Sequence, residues 1–168
     1  MNMFDQMLAI KRFREQQAEL EFIRQRLRRT EAEQETEKAQ DRLNEFRDWA
    51  REREAAMYDD LCERVVRVRE IEGVLYEVSQ LRKDEGYYES VLHKANDTLE
   101  EETHVLSERR QAHMQTVRMS NKFVELANVY HEGETQIRNN KEDLELEEVA
   151  SLVRDRVDWN DENGGDPQ

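Results

Sequence analysis

The sequence predicts an all-α fold, a long two-helix antiparallel coiled-coil hairpin followed by an acidic, partly disordered C-terminal tail. Three observations support this prediction. Charged residues make up 39% of the chain, against about 25% in an average globular domain. The chain has one proline and five glycines in 168 residues, so little in it interrupts a helix. Apolar residues also recur with a heptad period, which is typical of a coiled coil.

The second half of the chain carries the most regular repeat. Its apolar residues follow steps of three and four, and the register holds over about eight heptads. A disordered chain of this composition would have no reason to keep that register, and a strict seven-residue period predicts a left-handed supercoil. The repeat consists of Ile71, Val74, Val78, Leu81, Glu85, Tyr88, Leu92, Ala95, Leu99, Glu102, Leu106, Arg109, His113, Thr116, Ser120, Phe123, Ala127 and Tyr130.

The first half is also predicted to be helical, but its apolar pattern is less regular. Two apolar stripes are out of phase, and residues 28–42 between them are almost entirely polar. A stutter of the coiled coil is therefore expected there. The first stripe contains Phe13, Leu20, Ile23 and Leu27, and the second contains Ala39, Leu43, Phe46, Ala50, Met57 and Leu61.

The turn is expected within residues 63–70, because the β-branched Val65, Val66 and Val68 weaken a helix there; Gly73 is a competing break. A turn near residue 66 pairs residues whose numbers add to about 133 in an antiparallel hairpin. This pairing brings Leu27 to Leu106 and Leu20 to His113. A single long helix in a parallel dimer would use the same heptads.

We expect the two helices and the turn to form one helical domain, residues 1–159. Helix 1 is expected at about 3–62 and helix 2 at about 71–155, and the polar end, residues 160–168, is expected to be disordered. Past Tyr130 the second helix has no residues of the first left to pair with, and only a weaker amphipathic stripe follows in residues 141–159.

Charge and motifs exclude several classes of function. A net charge of −14 argues against nucleic-acid binding, which needs a basic surface. The longest apolar run is residues 7–10, so neither membrane insertion nor a secretory signal is expected. Cys62 is the only cysteine, and no two of the four histidines are spaced i, i+4, so no metal site is expected. No phosphate-binding loop or catalytic motif is present, and we expect neither a cofactor nor an enzymatic activity.

Two groups of residues are candidates for binding a partner. The aromatic group is Phe46, Trp49 and Tyr87; exposed rings on a polar helix often mark a binding site, although large rings can also simply cover a thin seam. The basic group is able to steer an acidic partner, although pairing with Glu21, Glu31, Glu101 or Glu108 is an alternative. The basic group consists of Arg24, Arg26, Arg28 and Arg29.

Three segments carry a resemblance to a known family. They are LRKDEGYYE at residues 81–89, NKFVEL at 121–126 and the acidic run EDLELEE at 142–148. A long, nearly proline-free helical chain with these segments resembles the YscO family of bacterial type III secretion over roughly residues 3–150. That family is in turn similar to the flagellar export protein FliJ and to the coiled coil of the rotary ATPase γ subunit.

The resemblance implies a non-enzymatic central stalk, a monomeric hairpin in the pore of the hexameric type III secretion ATPase. Such a stalk would promote assembly or activity of the ATPase and link it to the export-gate protein, at the cytoplasmic face of the apparatus. Secretion chaperones are further implied partners. By the same resemblance, the end carrying the chain termini enters the hexamer. Because contacts in the pore must be remade as the ring cycles, we expect the four arginines to make electrostatic contacts there and Phe123 to hold the two helices together. The alternative is a self-associating structural coiled coil, a dimeric spacer or scaffold.

Overall fold

The computed structural model describes residues 3–163, with side chains through Arg154 and at Arg156. The described residues form two helices, α1 (Met3–Glu63) and α2 (Val68–Asn163), and contain no strand. The two helices pack against each other, so the all-α, two-helix antiparallel fold is confirmed. Both are built largely from strong helix formers such as Glu, Leu, Ala, Arg and Lys, and α2 continues through Gly73, the competing break.

The helices are joined by residues 64–67, where Val65 is fully exposed. The N-terminus of α2 is capped by Glu70, whose carboxylate accepts a hydrogen bond of 2.7 Å from the backbone N–H of Arg67. This is half of a capping box, and it lowers the pKa of Glu70 below its usual value. Arg64 bridges the connection through Asp60 at 3.1 Å and Glu70 at 3.0 Å.

The described chain divides into two units. The larger unit, Glu15–Gln115, holds the seam between α1 and α2, in which Leu43 is 2% exposed and Ala39 and Met57 are also buried. The helices are antiparallel here, since Phe46 lies 4.9 Å from Tyr88 between ring centroids while Glu21 pairs with Arg109. The numbers of these partners add to values close to the predicted one.

The other unit contains residues 3–14 of α1 and 116–163 of α2. Ser120 and Ala127 are buried in it. Its helices are also antiparallel, because Phe4 contacts Tyr130 at 4.9 Å between ring centroids, while Lys11 lies beside Phe123. Beyond Tyr130 the described side chains of α2 are exposed, apart from the half-buried position Gly133.

The register predicted for α2 is confirmed. Every position of the predicted repeat is buried or half-buried except Ile71, Arg109 and Tyr130. In α1 the second stripe, from Ala39 to Leu61, likewise lies in the seam.

The first stripe of α1 was assigned wrongly. Phe13, Leu20, Ile23 and Leu27 are exposed, and in the larger unit Phe22 and Gln25 occupy the seam instead. His113 stacks on Phe22, with ring centroids 6.1 Å apart. The physical reason is that the seam keeps one heptad register through residues 28–42, with the small residues Ala32 and Thr36 half-buried at seam positions.

The end of α2 differs from the expected boundary. Its backbone is helical through Asn163, past residue 155 and into the segment that was expected to be disordered. The remaining residues of that segment, 164–168, lie outside the described residues, so disorder there stays a prediction.

Candidate partner-binding surfaces

Three of the four predicted arginines are available for a partner. Arg24, Arg26 and Arg28 are exposed, and within residues 3–163 none of them is in an ion pair. Arg29 differs, because it is half-buried and its guanidinium lies 2.8 Å from the carboxylate of Glu33, one turn further along α1. Arg24 and Arg28 lie one turn apart on the same side of α1, whereas Arg26 lies on another side of the helix. We call these three exposed cations the α1 arginines (Arg24, Arg26 and Arg28).

Among the described residues, Arg24, Arg26 and Arg28 do not form ion pairs with nearby glutamates, so that alternative does not hold for these three. Glu21 instead pairs across the seam with Arg109 at 2.6 Å. Among the described side chains, neither Glu31, Glu101 nor Glu108 is in an ion pair with an arginine. The positive charge of the α1 arginines is thus left for solvent or for another molecule.

An apolar surface beside these arginines was missed as a site in the sequence. Leu20, Ile23 and Leu27 are spaced three and four residues apart, so they form one stripe on the outer face of α1. On a helical projection, Arg24 flanks this stripe on one side and Arg26 flanks it on the other. Positions seven and fourteen residues beyond Leu27 are Gln34 and Asp41, so the apolar stripe ends there. The sequence did contain a signal for this surface, because Leu20, Ile23 and Leu27 do not share the heptad register of Leu43.

The seam beneath this surface is unusually polar. Gln25 is buried, and its side-chain amide donates a hydrogen bond of 3.1 Å to the backbone carbonyl of Glu102 and another to the Glu102 carboxylate. Thr36 donates to the carbonyl of Ala95 at 3.2 Å. Buried polar groups that are satisfied in this way fix the register of two helices, which holds the outer stripe of α1 in solvent.

The aromatic group divides into a buried and an exposed part. Phe46 is half-buried and contacts Tyr88 across the seam, with the two rings tilted at 33° to each other. Trp49 is 53% exposed and Tyr87 is 66% exposed. Their rings lie 5.6 Å from Phe46 and from Tyr88, respectively. Phe46 covers the seam, as in the alternative interpretation, while Trp49 and Tyr87 extend the same cluster to the surface.

The aromatic cluster is bordered by ion pairs that cross the seam. Arg47 bridges from α1 to two carboxylates of α2, Glu85 at 2.7 Å and Glu89 at 2.6 Å. These hydrogen bonds, first to Glu85 and then to Glu89, raise the pKa of Arg47. Trp49 also lines an open groove of about 400 Å³ together with Met57 and Leu81. An exposed ring beside such a groove is a suitable anchor for a protein partner.

Phe123 belongs to the smaller unit. It is half-buried in the seam, and the ammonium group of Lys11 lies 5.0 Å from its ring centroid, which is a cation–π contact between α2 and α1. This position is suited to holding the helices together more than to meeting a partner.

The described residues offer no obvious site for metal chemistry. Within residues 3–163 no cluster of three or more histidine, cysteine or acidic side chains is arranged to hold a metal ion. In the same residues, neither helix has a stretch that is long and apolar enough to cross a membrane. Cys62 is free and exposed at the end of α1.

Comparison with known proteins identifies the family. The sequence model of a protein family, described as type III secretion protein YscO, matches residues 4–152 of this chain. The chain belongs to the YscO family. The 2.8 Å crystal structure of the type III secretion protein YscO from Vibrio parahaemolyticus is similar, with a TM-score of 0.78 and 26% sequence identity over 87% of this chain and 92% of that chain. No curated protein matches the chain.

Membership of the YscO family confirms the resemblance carried by the three sequence segments. It makes the protein a component of type III secretion, and the family is not a known family of enzymes. The similarity to this crystal structure extends over most of both chains, so the two proteins share this fold.

Proposed function

We propose that this YscO family member is the central stalk of the hexameric type III secretion ATPase, where it promotes assembly or activity of the hexamer. The observation that carries the proposal is the family match over residues 4–152. On this proposal the protein is a monomer that works at the cytoplasmic face of the secretion apparatus. It links the ATPase to the export-gate protein and also receives secretion chaperones.

The α1 arginines support a contact with the ATPase. A ring of repeated subunits cannot match one stalk identically at every subunit, so the contacts must be remade as the ring cycles. Long, exposed cations suit this task because each ion pair contributes only about 0–1 kcal/mol, while several together still orient the stalk and speed its capture. The outer stripe of Leu20, Ile23 and Leu27 adds an apolar contact beside them.

Arg29 and Phe123 have supporting roles in this proposal. Arg29 faces the seam and is paired with Glu33, so it contributes to the local field more than to direct contact. Phe123, packed under Lys11, keeps α1 and α2 together in the smaller unit.

The test of the proposal is the rate of ATP hydrolysis by the cognate secretion ATPase as the full chain is added. A stalk should raise the rate in a saturable manner and shift the ATPase toward its hexamer in sedimentation. A structural spacer or scaffold would leave both the rate and the hexamer population unchanged, and that result would contradict the proposal.

A separate prediction concerns the aromatic cluster, which we assign to the export-gate protein. Replacing Trp49 and Tyr87 together by Ala should leave helicity almost unchanged, because both rings are largely exposed. Binding to the isolated cytoplasmic part of the export gate should weaken about tenfold or more, as expected for aromatic anchors. Circular dichroism and titration calorimetry measure the two effects.

Tyr76→Ala is the matched control, since Tyr76 is also on α2 and is exposed to the same 66%. It should change neither quantity. If the double variant melts at a much lower temperature while binding survives, Trp49 and Tyr87 only cover the seam and the assignment to the export gate is wrong.

A further inference from the structure

The last described part of α2 carries an apolar face that nothing in the described chain covers. Leu146, Val149, Ala150 and Val153 are spaced i, i+3, i+4 and i+7, so they lie along one side of the helix. Leu146 is 67% exposed, and Val149 and Val153 are each 57% exposed. We call these four residues the C-terminal stripe.

The charges beside the C-terminal stripe are ordered along the helix. Asp143 and Glu145 flank its beginning, and Arg154 and Arg156 flank its end. All four are in the part of the chain whose side chains are described, and none of the four is in an ion pair there. The beginning of the segment is therefore strongly acidic, whereas its end carries two arginines that alternate with Asp155 and Asp158, and the apolar face lies between.

From this pattern we infer that the C-terminal stripe binds the same stripe of a second copy of this chain, in antiparallel orientation. In this register Leu146 meets Val153 of the second copy, and Val149 meets Ala150. Each contact occurs twice because the arrangement is isologous. The apolar residues of one copy thus cover those of the other over the whole length of the stripe.

The flanking charges select the antiparallel orientation. On a helical projection, Glu145 and Arg156 lie on one flank of the stripe, whereas Asp143 and Arg154 lie on the other. In an antiparallel pair each flank faces the same flank of the other helix, so Glu145 meets Arg156 of the second copy and Asp143 meets Arg154. A parallel pair would instead place the acidic run at residues 142–148 beside itself, and like charges repel.

The expected dimer is weak. Residues 142–156 span roughly 22 Å of helix at about 1.5 Å per residue. Two such segments bury less than the ~1,200 Å² at the lower limit of stable interfaces. Association should therefore appear only at high protein concentration, well above the concentrations at which the proposed stalk works as a monomer. The inference concerns residues other than the α1 arginines. Failure of the dimer experiment would therefore not contradict the proposed function, and failure of the ATPase experiment would not contradict the dimer.

Sedimentation of the full chain over a concentration series tests the inference. The wild type should show reversible dimerisation. Variant A, with Asp143→Arg and Glu145→Arg, and variant B, with Arg154→Glu and Arg156→Glu, should each associate about tenfold more weakly or not at all. An equimolar mixture of A and B should restore the dimer, because both pairs of facing charges are then opposite again.

Variant A also separates this inference from a general charge effect. It makes the chain less acidic, so relief of overall repulsion would strengthen self-association, whereas the specific pairing requires that it weaken. Leu144→Glu is the control for the apolar face, because Leu144 is exposed but lies on the opposite side of the helix. It should have no effect, while Val149→Glu should abolish the dimer.

Spin labels report the orientation, in a Cys62→Ser background that removes the exposed native thiol. Labels at residue 138 of the two copies should lie roughly 35 Å apart in the antiparallel register and about 10 Å apart in a parallel one. A monomeric wild type at every concentration, a short distance between these labels, or a mixture of A and B that stays monomeric would each overturn the inference.

Discussion

Leu43→Ala should lower the free energy of unfolding by about 2–5 kcal/mol, whereas Leu27→Ala should change it by no more than about 0.5 kcal/mol. The two substitutions remove the same atoms from the same helix. Leu43 is 2% exposed and Leu27 is 61% exposed. Only the first substitution leaves a cavity in the seam and gives up apolar burial.

Urea denaturation followed by circular dichroism measures both variants, and equal m-values would show that the two midpoints are comparable. Leu20→Ala serves as a second exposed control on the same outer stripe. If Leu27→Ala is as destabilising as Leu43→Ala, then the seam of α1 passes through Leu27, and the assignment of Phe22 and Gln25 to that seam is wrong.

The register of α2 could be predicted from the sequence because its apolar residues keep one phase from Val74 to Ala127. Residues of this repeat that are polar, such as Glu102, His113 and Ser120, were placed in the seam by the phase alone. The structure confirms these positions. A long repeat is reliable for this reason, since a single polar residue cannot shift the phase that its neighbours set.

The N-terminal half of α1 could not be predicted in the same way. There the largest apolar side chains, including Leu20 and Leu27, were taken as the seam, and a stutter was required to join them to Leu43. In the structure the polar residues of α2 at this level have partners of different kinds on α1, since Gln25 faces Glu102 while Phe22 stacks on His113. The seam here therefore contains polar as well as apolar contacts, which an apolar pattern on one helix does not reveal.

A usable signal was nevertheless present in the sequence. Steps of seven backward from Leu43 give Thr36, Arg29 and Phe22, all of which are half-buried. The same count separates Arg29, on the seam, from the three arginines that remain exposed. The ion pairs of the arginines could not be predicted from the sequence. Glu21, for example, pairs with Arg109 of the other helix and not with the arginines near it in α1.

Reversing the α1 arginines, Arg24, Arg26 and Arg28, to Glu should reduce stimulation of the secretion ATPase to the unstimulated rate at low salt. The three side chains are exposed and outside the seam, so the variant should keep the helicity and melting temperature of the wild type. The loss follows because three attractive contacts become repulsive toward an acidic surface, which slows capture and weakens orientation at once.

The matched control reverses Arg69, Lys83 and Lys94, which are also exposed cations without an ion pair among the described residues. It changes the net charge by the same amount, so a general electrostatic effect would impair both variants equally. Stimulation by the wild type should also fade as the ionic strength rises past about 0.15 M, where the Debye length is about 8 Å. If the arginine variant still stimulates the ATPase, or if the control variant loses stimulation as completely, the α1 arginines do not contact the ATPase. If the wild type still stimulates the ATPase at high salt, the contact is made instead by the apolar stripe of Leu20, Ile23 and Leu27.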